Sequence, residues 1–368
     1  MKILLVGIST RALAQSAARL GHQIISLDFF GDADQPVEAE VHALMRDLGE
    51  PPELTSLAEA ARRFVPLVDR VVVEAGLENE PNLLNICPDE KCWGNSRETV
   101  AAARNPVRLG RILSTTGMHI PETILPGERL PLEGHYLLKD MNHSGGRGIS
   151  EWDGTSPPME RQVLQHFVDG DLASACFVAN GKGARLLGIT RQYAGESSLG
   201  APPFAWCGNA APWGDLELQR VVVQAIETLV EGCGLCGLNG IDFIVQEGVP
   251  HLLEVNPRPP ASFELFERIL GVNAFHLHTE GCEGRLPEIP ALTGRGAWAK
   301  GILYAIQDVT VGDTRGWAAE GAADIPHPGE FIPAGSPICT LLAEGRQAAD
   351  AWQKVLLKAD EWRQEKGL

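Results

Sequence analysis

The chain has 368 residues, of which 44% are hydrophobic and 21% charged, and its formal net charge is −17 at pH 7. This length suits two or three domains, and the composition is that of an ordinary globular protein. The acidic balance excludes broad binding to nucleic acid or to an anionic membrane, because both need a basic surface. No apolar run approaches the roughly 18 residues of a membrane span or resembles a signal peptide, so we expect a cytoplasmic protein.

Eight cysteines are scattered along the chain, as expected of reduced thiols rather than of a disulfide framework. Cys233 and Cys236 form a CxxC, which leaves a redox or metal site as an alternative. No second CxxC completes a set of four zinc ligands, and the pair precedes an apolar strand. We therefore interpret these two residues as buried thiols.

The first hundred residues alternate apolar runs with helical patterns. We expect strands at 3–7, 23–27 and 69–74, and helices at 10–20, 38–48 and 56–64. This order predicts a doubly wound parallel sheet, which we assign to a domain of residues 1–103. Gly7, Ser9 and Gly21 do not form a G-x-G-x-x-G motif, so a dinucleotide site is not predicted.

Polar residues follow two of these expected strands. Ser9, Thr10 and Arg11 stand at a helix N-terminus, where hydroxyls and a cation suit an anion or a carboxylate. Glu78 and Asn79 follow the strand at 69–74, and ligands of open α/β sheets gather at the carboxyl ends of strands. We expect these five residues to contact substrate. The alternative for the second group is a polar turn that caps a helix.

A second domain is expected over residues 104–290, followed by a β-rich cap with a terminal helix over 291–368. Lys139 ends a short strand, and Ser144 to Gly148 form a glycine-rich loop behind it. Glycines let backbone N–H groups approach an oxyanion, and a lysine supplies a point charge for phosphate. The motif predicts a triphosphate clamp, although the loop alone could equally be a mobile surface turn.

Two predicted strands near residues 240 and 254 carry acidic residues among apolar neighbours. Asp242 lies between Ile241 and Phe243, and Glu254 and Asn256 lie on the next strand. An acid placed among apolar residues needs a partner, and a hard divalent cation prefers carboxylate and amide oxygens. These three residues therefore predict a Mg²⁺ site. An acidic hairpin that faces solvent is the alternative.

The two motifs together resemble those of the ATP-grasp superfamily. The segments that carry the resemblance are Leu138-Lys139, Ser144 to Ile149, Gly240-Ile241-Asp242-Phe243 and Leu252 to Pro259. The resemblance implies an α/β and α+β architecture, the ATP-grasp fold, with an N-terminal doubly wound domain and a two-lobed nucleotide clamp whose lid lies at about 120–180. It also implies a carboxylate–amine ligase.

By this resemblance the protein would use ATP and Mg²⁺, or Mn²⁺, with Asp242, Glu254 and Asn256 as metal ligands. The residues that would bind ATP are Lys139, Ser144, Gly145, Gly146, Gly148, the hinge residues Gln165, His166, Phe167 and Val168, and Asp171 at the ribose. The superfamily usually has a further phosphate-binding lysine before this domain. This chain has Arg104 and Arg108 there instead, and we favour Arg108.

The expected reaction joins a carboxylate, activated as an acyl phosphate, to an amine. Such a site must neutralise the γ-phosphate charge before attack, so we expect Arg258, Lys139 and, less strongly, Arg191 to be catalytic. Arg258 could instead only pair with Glu254. A phosphotransferase and a non-catalytic ATP-binding protein remain open, as does a homodimer.

A narrower resemblance lies in the first 34 residues. Gly7 to Ala14 and Asp28 to Asp34 are similar to segments of uncharacterised ATP-grasp proteins of one-carbon metabolism. Those proteins are in turn similar to the tyramine–glutamate ligases of methanofuran biosynthesis. The narrower resemblance implies glutamate as a substrate, whereas the residues themselves spell neither the acid nor the amine.

Overall fold

The N-terminal domain is a four-stranded parallel sheet covered by helices on both faces. The computed structural model describes all 368 residues. The sheet has the order β3-β2-β1-β4. Its strands are β1 (Lys2–Val6), β2 (Gln23–Asp28), β3 (Ala39–Ala43) and β4 (Arg70–Val73), and the helices of this region are α1 (Arg11–Ala18), α2 (Leu44–Leu48), α3 (Leu54–Phe64), α4 (Arg97–Ala103) and α5 (Pro106–Leu113). The expected doubly wound sheet is confirmed.

Strand β1 shows why both faces of this sheet are apolar. Ile3 and Leu5 are buried with α1, whereas Leu4 and Val6 are buried with α3. Successive side chains of a strand point to opposite faces, so a strand covered on both sides is apolar throughout. The three strands β1, β2 and β4 run parallel, and their carboxyl ends therefore lie along one edge.

The helix expected over residues 38–48 is wrong in its first half. Residues 39–43 form β3, which pairs in parallel with β2, and only Leu44–Leu48 is helical. Glu, Ala and Leu in this segment favour a helix by intrinsic propensity. Backbone pairing with the exposed edge of β2 outweighs that preference, and the strand at 69–74 is consequently the fourth rather than the third.

The lid is a small antiparallel sheet of order β5-β8-β6-β7. Its strands are β5 (Thr123–Ile124), β6 (Tyr136–Asp140), β7 (Ile149–Glu151) and β8 (Gln162–His166). Its core is small, with Ile124, Tyr136 and Leu164 at its centre. The lid packs against the N-terminal domain through Arg161, which donates to the backbone oxygen of Asn79 at 2.8 Å.

The largest sheet has eight strands in the order β13-β12-β9-β10-β11-β14-β18-β16. The remaining strands are β9 (Asp171–Asn180), β10 (Ala184–Ala194), β11 (Trp206–Ala211), β12 (Cys236–Gln246), β13 (Val249–Asn256), β14 (Ala297–Tyr304), β15 (Val309–Thr310), β16 (Ala322–Ala323), β17 (Phe331–Ile332) and β18 (Pro337–Gly345). Strands β15 and β17 pair separately. The tail of the chain thus contributes strands to the central sheet itself.

Four helices cover the central sheet, namely α6 (Leu216–Cys233), α7 (Phe263–Leu270), α8 (Ala274–Cys282) and α9 (Ala348–Lys366). Helix α6 begins where the Asp215 carboxylate accepts the backbone N–H of Leu218, and it ends at Gly234, whose φ is +76°. Aspartate is favoured at the N-cap of a helix, and glycine is favoured just after its last turn. No helix of the protein combines the length and the apolar character needed to cross a bilayer.

Candidate functional site

The hairpin of β12 and β13 brings the predicted metal ligands together. Glu247 and Gly248 at its turn both have positive φ, as a two-residue hairpin turn requires. Asp242 lies directly opposite Glu254, and Gly240 lies opposite Asn256. The Asn256 side-chain amide donates to Oδ2 of Asp242 at 2.9 Å. Two carboxyl groups and one amide therefore meet on one face of the hairpin.

The electrostatics of Asp242 are those of a buried acid beside a second carboxyl group. Burial and, secondly, the neighbouring Glu254 raise the pKa of Asp242 to about 7, against the hydrogen bond from Asn256. Gln192 on β10 also donates to Oδ1 of Asp242, at 2.9 Å. Two facing carboxyl groups with an amide oxygen beside them fit a hard divalent cation, which would neutralise both acids.

No group of three or more His, Cys, Asp or Glu residues in the protein is arranged to hold a metal ion. The donor set at the hairpin is thus two carboxylates plus an amide. Such an incomplete set suits Mg²⁺, which keeps part of its coordination for water and substrate phosphates.

Lys139 on β6 reaches this face of the hairpin from the lid. Its ammonium group donates to the side-chain oxygen of Gln165 on β8. Burial lowers the pKa of Lys139, whereas the charges of Glu254 and Asp242 act in the opposite direction. Lys139 is half-buried and its charge acts on both carboxyl groups, so a phosphate bound at this face of the hairpin would also meet a cation.

The glycine-rich loop behind β6 is docked against the segment before β11. Gly145, Gly146 and Gly148 all have positive φ, between +65° and +77°. The backbone oxygen of Gly145 accepts the Trp206 N–H at 2.9 Å, and a Cβ at Gly146 would lie 1.8 Å from the Phe204 oxygen. Ser144 precedes these glycines and is half-buried. The loop thus requires glycine for contact with protein backbone as well as for its conformation.

The residues expected at adenine and ribose have different surroundings. Gln165 and Val168 are buried, whereas His166 is exposed and packs edge-on against Tyr136. Phe167 packs on the His135 ring at a centroid distance of 4.5 Å. Asp171 is half-exposed and forms an ion pair with Arg191. Only Gln165 of this group contacts Lys139, and the nucleotide roles of all five residues stay predictions.

Arg191 was expected to be catalytic, and its position contradicts this. Its guanidinium pairs with Asp171 and lies over the Trp213 ring at 5.6 Å. Its neighbour Gln192 contacts Asp242, and adjacent residues of a strand point to opposite faces. Arg191 therefore points away from the two carboxylates, and Gln192 occupies the position that faces them.

The expectation that Arg108 supplies the first phosphate-binding cation is also wrong. Arg108 donates to the backbone oxygen of Gly232 at 2.8 Å on the protein surface. Arg104 instead lies 3.8 Å from Oε2 of Glu254, with only 11% of its side chain exposed. Arg104 is the C-cap of α4, whereas Arg108 lies in α5, a separate helix that is capped by Asn105. This break in the helix decides which arginine faces the site.

Two of the residues expected to contact substrate are fully engaged inside the protein. Arg11 is 1% exposed and pairs with Glu264 at 2.7 Å and with Asp324 at 3.0 Å. Thr10 is buried and donates to Asp28 at 2.8 Å. Neither side chain is available to a ligand, so the expectation that Thr10 and Arg11 contact substrate is wrong. Ser9 is half-buried beside them.

Glu78 and Arg258 connect the N-terminal domain to the hairpin of β12 and β13. Arg258 donates from Nε to Oε1 of Glu78 at 2.9 Å and from Nη2 to Oδ1 of Asn256 at 3.0 Å. The other Glu78 oxygen accepts the Gly76 N–H at 2.6 Å. Arg258 thus pairs with Glu78 rather than with Glu254, the partner considered from the sequence. Asn79, next to Glu78, is buried and its side-chain oxygen has no partner.

Comparison with known proteins gives matches over most of the chain. Residues 103–262 match the family model described as an ATP-grasp domain. An uncharacterised protein of Methanocaldococcus jannaschii is 22% identical over 360 residues, which cover 94% of this chain and 88% of that protein. A formate-dependent phosphoribosylglycinamide formyltransferase of Synechococcus sp. (strain RCC307) is 24% identical over 376 residues, with 93% and 91% of the two chains covered.

The crystal structure of an L-amino acid ligase from Bacillus licheniformis superposes with a TM-score of 0.68 at 14% identity, covering 98% of this chain and 97% of that one. The likeness in fold thus extends beyond the matched domain to both ends of the chain. It confirms the fold expected from the two sequence motifs.

Proposed function

We propose that this chain, a member of the ATP-grasp superfamily, is an ATP-dependent ligase that activates a carboxylate as an acyl phosphate and joins it to an amine. The observation that carries the proposal is the convergence of Asp242, Glu254 and Lys139 from the hairpin and the lid. ADP and phosphate would be released with the amide product.

Mg²⁺, held by Asp242, Glu254 and Asn256, would supply positive charge to the terminal phosphates of ATP. Lys139 and Arg104, which both interact with Glu254, would add further positive charge. The N–H groups of the loop at 144–148 would bind phosphate oxygens, since glycines leave them accessible. These groups lower the repulsion that an attacking carboxylate meets at a triphosphate.

Arg258 would stabilise the charge that develops when an amine attacks the acyl phosphate. It is held from two sides, by Glu78 and by Asn256, and it needs no rearrangement to keep its orientation. A preorganised donor of this kind is a large contributor to transition-state stabilisation. The carboxyl edge of the N-terminal sheet beside Glu78 would receive the two small-molecule substrates.

The candidate carboxylate substrates are suggested by the similar proteins and by the narrower sequence resemblance. One relative is a formate-dependent formyltransferase and one similar structure is an L-amino acid ligase. Formate and the L-amino acids, with L-glutamate among them, are therefore the first candidates. Tyramine and the amino acids themselves are the first amines.

The test measures ADP release with pairs of these acids and amines in the presence of Mg²⁺. A ligase releases ADP and forms an amide only when both substrates are present, whereas a phosphotransferase needs one acceptor. Glu254→Gln should lower turnover by about 100-fold or more, because it removes one of two charged metal ligands. Glu247→Gln, on the exposed turn of the same hairpin, is the control. Normal turnover by Glu254→Gln would refute the metal assignment.

A further inference from the structure

The carboxyl edge of the N-terminal sheet holds several buried oxygen atoms that lack a hydrogen-bond donor. Six buried side-chain oxygens in the protein have no partner, and five of them belong to Asp32, Gln35, Glu74, Asn79 and Ser262. Four of these residues follow β2 or β4, and Ser262 precedes α7. Because the oxygens of those four residues are carboxyl or amide oxygens, which accept hydrogen bonds, they call for a ligand that donates them.

The same region carries an excess of buried negative charge. Its carboxyl groups are those of Asp28, Asp32, Asp34, Glu74, Glu264 and Asp324, and its cations are Arg11, Lys300 and, beside Glu74, Arg258. Arg11 and Lys300 are both bound to Glu264, through contacts of 2.7 and 2.8 Å, and Arg258 is bound to Glu78. Arg11 also pairs with Asp324 at 3.0 Å and with Asp34 at 3.5 Å.

Asp32 and Glu74 are the two acids of this region whose side chains accept no hydrogen bond from the protein. They are 7% and 5% exposed, respectively. Asp28, by contrast, accepts hydrogen bonds from Thr10, Phe30 and Gly31. Burial and the neighbouring acids Asp324 and Asp28 raise the pKa of Asp32, against the charge of Arg11. Burial and Asp28 raise the pKa of Glu74, against the charges of Arg258 and Arg11. An unpaired carboxylate in such a place is costly, and a cation that reached both would remove that cost.

The arrangement of the acids distinguishes between kinds of cation. No three of them converge as the ligands of a metal ion do. An organic cation with several N–H donors can reach acceptors that lie farther apart. Glu74 also lines a crevice together with Glu78 and Arg258, so the acidic edge adjoins the residues of the proposed reaction.

We propose that Asp32 and Glu74 bind an organic cation, an ammonium or guanidinium group that the amine substrate carries in addition to its reacting nitrogen. This inference rests on the proposed function only for naming the cation as part of the amine substrate. The charged end would be held at the edge of the N-terminal sheet, so that the other end of the same molecule extends toward Arg258.

The test is calorimetric titration of the full chain, without ATP, with putrescine and with methylguanidine. Butane-1,4-diol is the uncharged match for putrescine. At least one of the two cations should bind and the diol should not. Asp32→Asn and Glu74→Gln should each weaken that binding about 10-fold or more, the loss expected for one charge-assisted hydrogen bond. Glu38→Gln removes the same charge from an exposed position in the segment after β2 and should leave binding unchanged.

Three results would overturn the site. They are failure of both cations to bind, equal binding of the diol, and wild-type binding by both Asp32→Asn and Glu74→Gln. In the last case the cations would merely be attracted by the net charge of −17. Circular dichroism checks the variants, and since each removes a repulsive buried acid, neither should melt at a lower temperature.

The ligase reaction and the cation site can fail separately. Glu254→Gln should keep the binding of the cation while losing turnover, because Glu254 lies on the metal hairpin. If the cation binds as expected but no amine supports ADP release, the ligase assignment is wrong and the site stands. If diamines and monoamines react equally well and no cation binds, the ligase stands and the site is wrong.

Discussion

Arg258 on the segment after β13 and Glu78 at the end of the N-terminal sheet form a buried ion pair with Nε and Oε1 2.9 Å apart. Their side chains are 13% and 3% exposed. The pair joins two domains, and Arg258 continues the contact to Asn256 on the hairpin of β12 and β13. A single buried interaction therefore links the proposed metal site to the proposed substrate edge.

Glu78→Gln should destabilise the protein and reduce catalysis together. Removing one partner of a buried pair leaves an uncompensated charge, which costs about 3–5 kcal/mol. Urea unfolding measures that loss, and kcat for ADP formation measures the loss of Arg258 orientation.

Glu80→Gln is the matched control, because Glu80 pairs with Arg161 where both side chains are partly exposed. Its effect on the free energy of unfolding should stay below about 1 kcal/mol. Equal effects of the two substitutions would contradict a special role for the buried pair.

The two arginines near residue 105 should differ in their importance for ATP. Arg104→Ala removes the cation that lies 3.8 Å from Glu254, so it should raise the KM for ATP about 10-fold. Arg108→Ala removes a surface side chain that binds the Gly232 oxygen and should leave this constant near the wild-type value. Steady-state kinetics on both variants decide the matter, and a larger effect at Arg108 would reverse our assignment.

Gly146→Ala should displace the glycine-rich loop. The added Cβ would meet the Phe204 oxygen at 1.8 Å, and the residue would also have to keep a φ of +77°, which costs about 1 kcal/mol in itself. We expect a higher KM for ATP. Gly127→Ala, at φ +85° with no atom within 4 Å of the new Cβ, tests the backbone cost alone. If both variants bind ATP equally well, the contact with Phe204 does not matter.

His278 should contribute a pH-dependent part of the stability. It accepts the Leu238 N–H at 3.0 Å and faces the Trp93 oxygen at 3.1 Å, and burial lowers its pKa from 6.5 to about 4. Between these values the unfolded chain binds more protons than the folded chain, so stability falls as the pH is lowered from 6.5 to 4. The loss attributable to this group approaches about 3 kcal/mol.

Urea unfolding at several pH values measures this contribution as a difference between the wild type and His278→Gln. The difference should shrink as the pH falls from 6.5 to 4. His276→Gln, at an exposed position of the same helix, controls for the loss of an imidazole. A difference that is independent of pH would show that His278 does not titrate as expected.

Local sequence patterns predicted most of the architecture because they report properties that act over a few residues. The apolar runs of β1, β2 and β4 are at or near their expected positions. At the hairpin, Asp242 and Glu254 were expected on neighbouring strands, and in the structure they are direct partners across the two strands. Strand β3 was missed because its pairing partner is distant from the helix-favouring residues that form it.

The sequence by itself determined which chemistry the chain carries: two acids and an amide on a hairpin, a lysine on a strand, and glycines behind it. Only the tertiary structure decided which charges are free to act. Arg11 is neutralised by Glu264 and Asp324, residues more than 250 positions away, while Asp32 and Glu74 remain without a partner. A charge interacts with whatever the fold brings near it in space, so its availability depends on contacts between distant segments that no local pattern records.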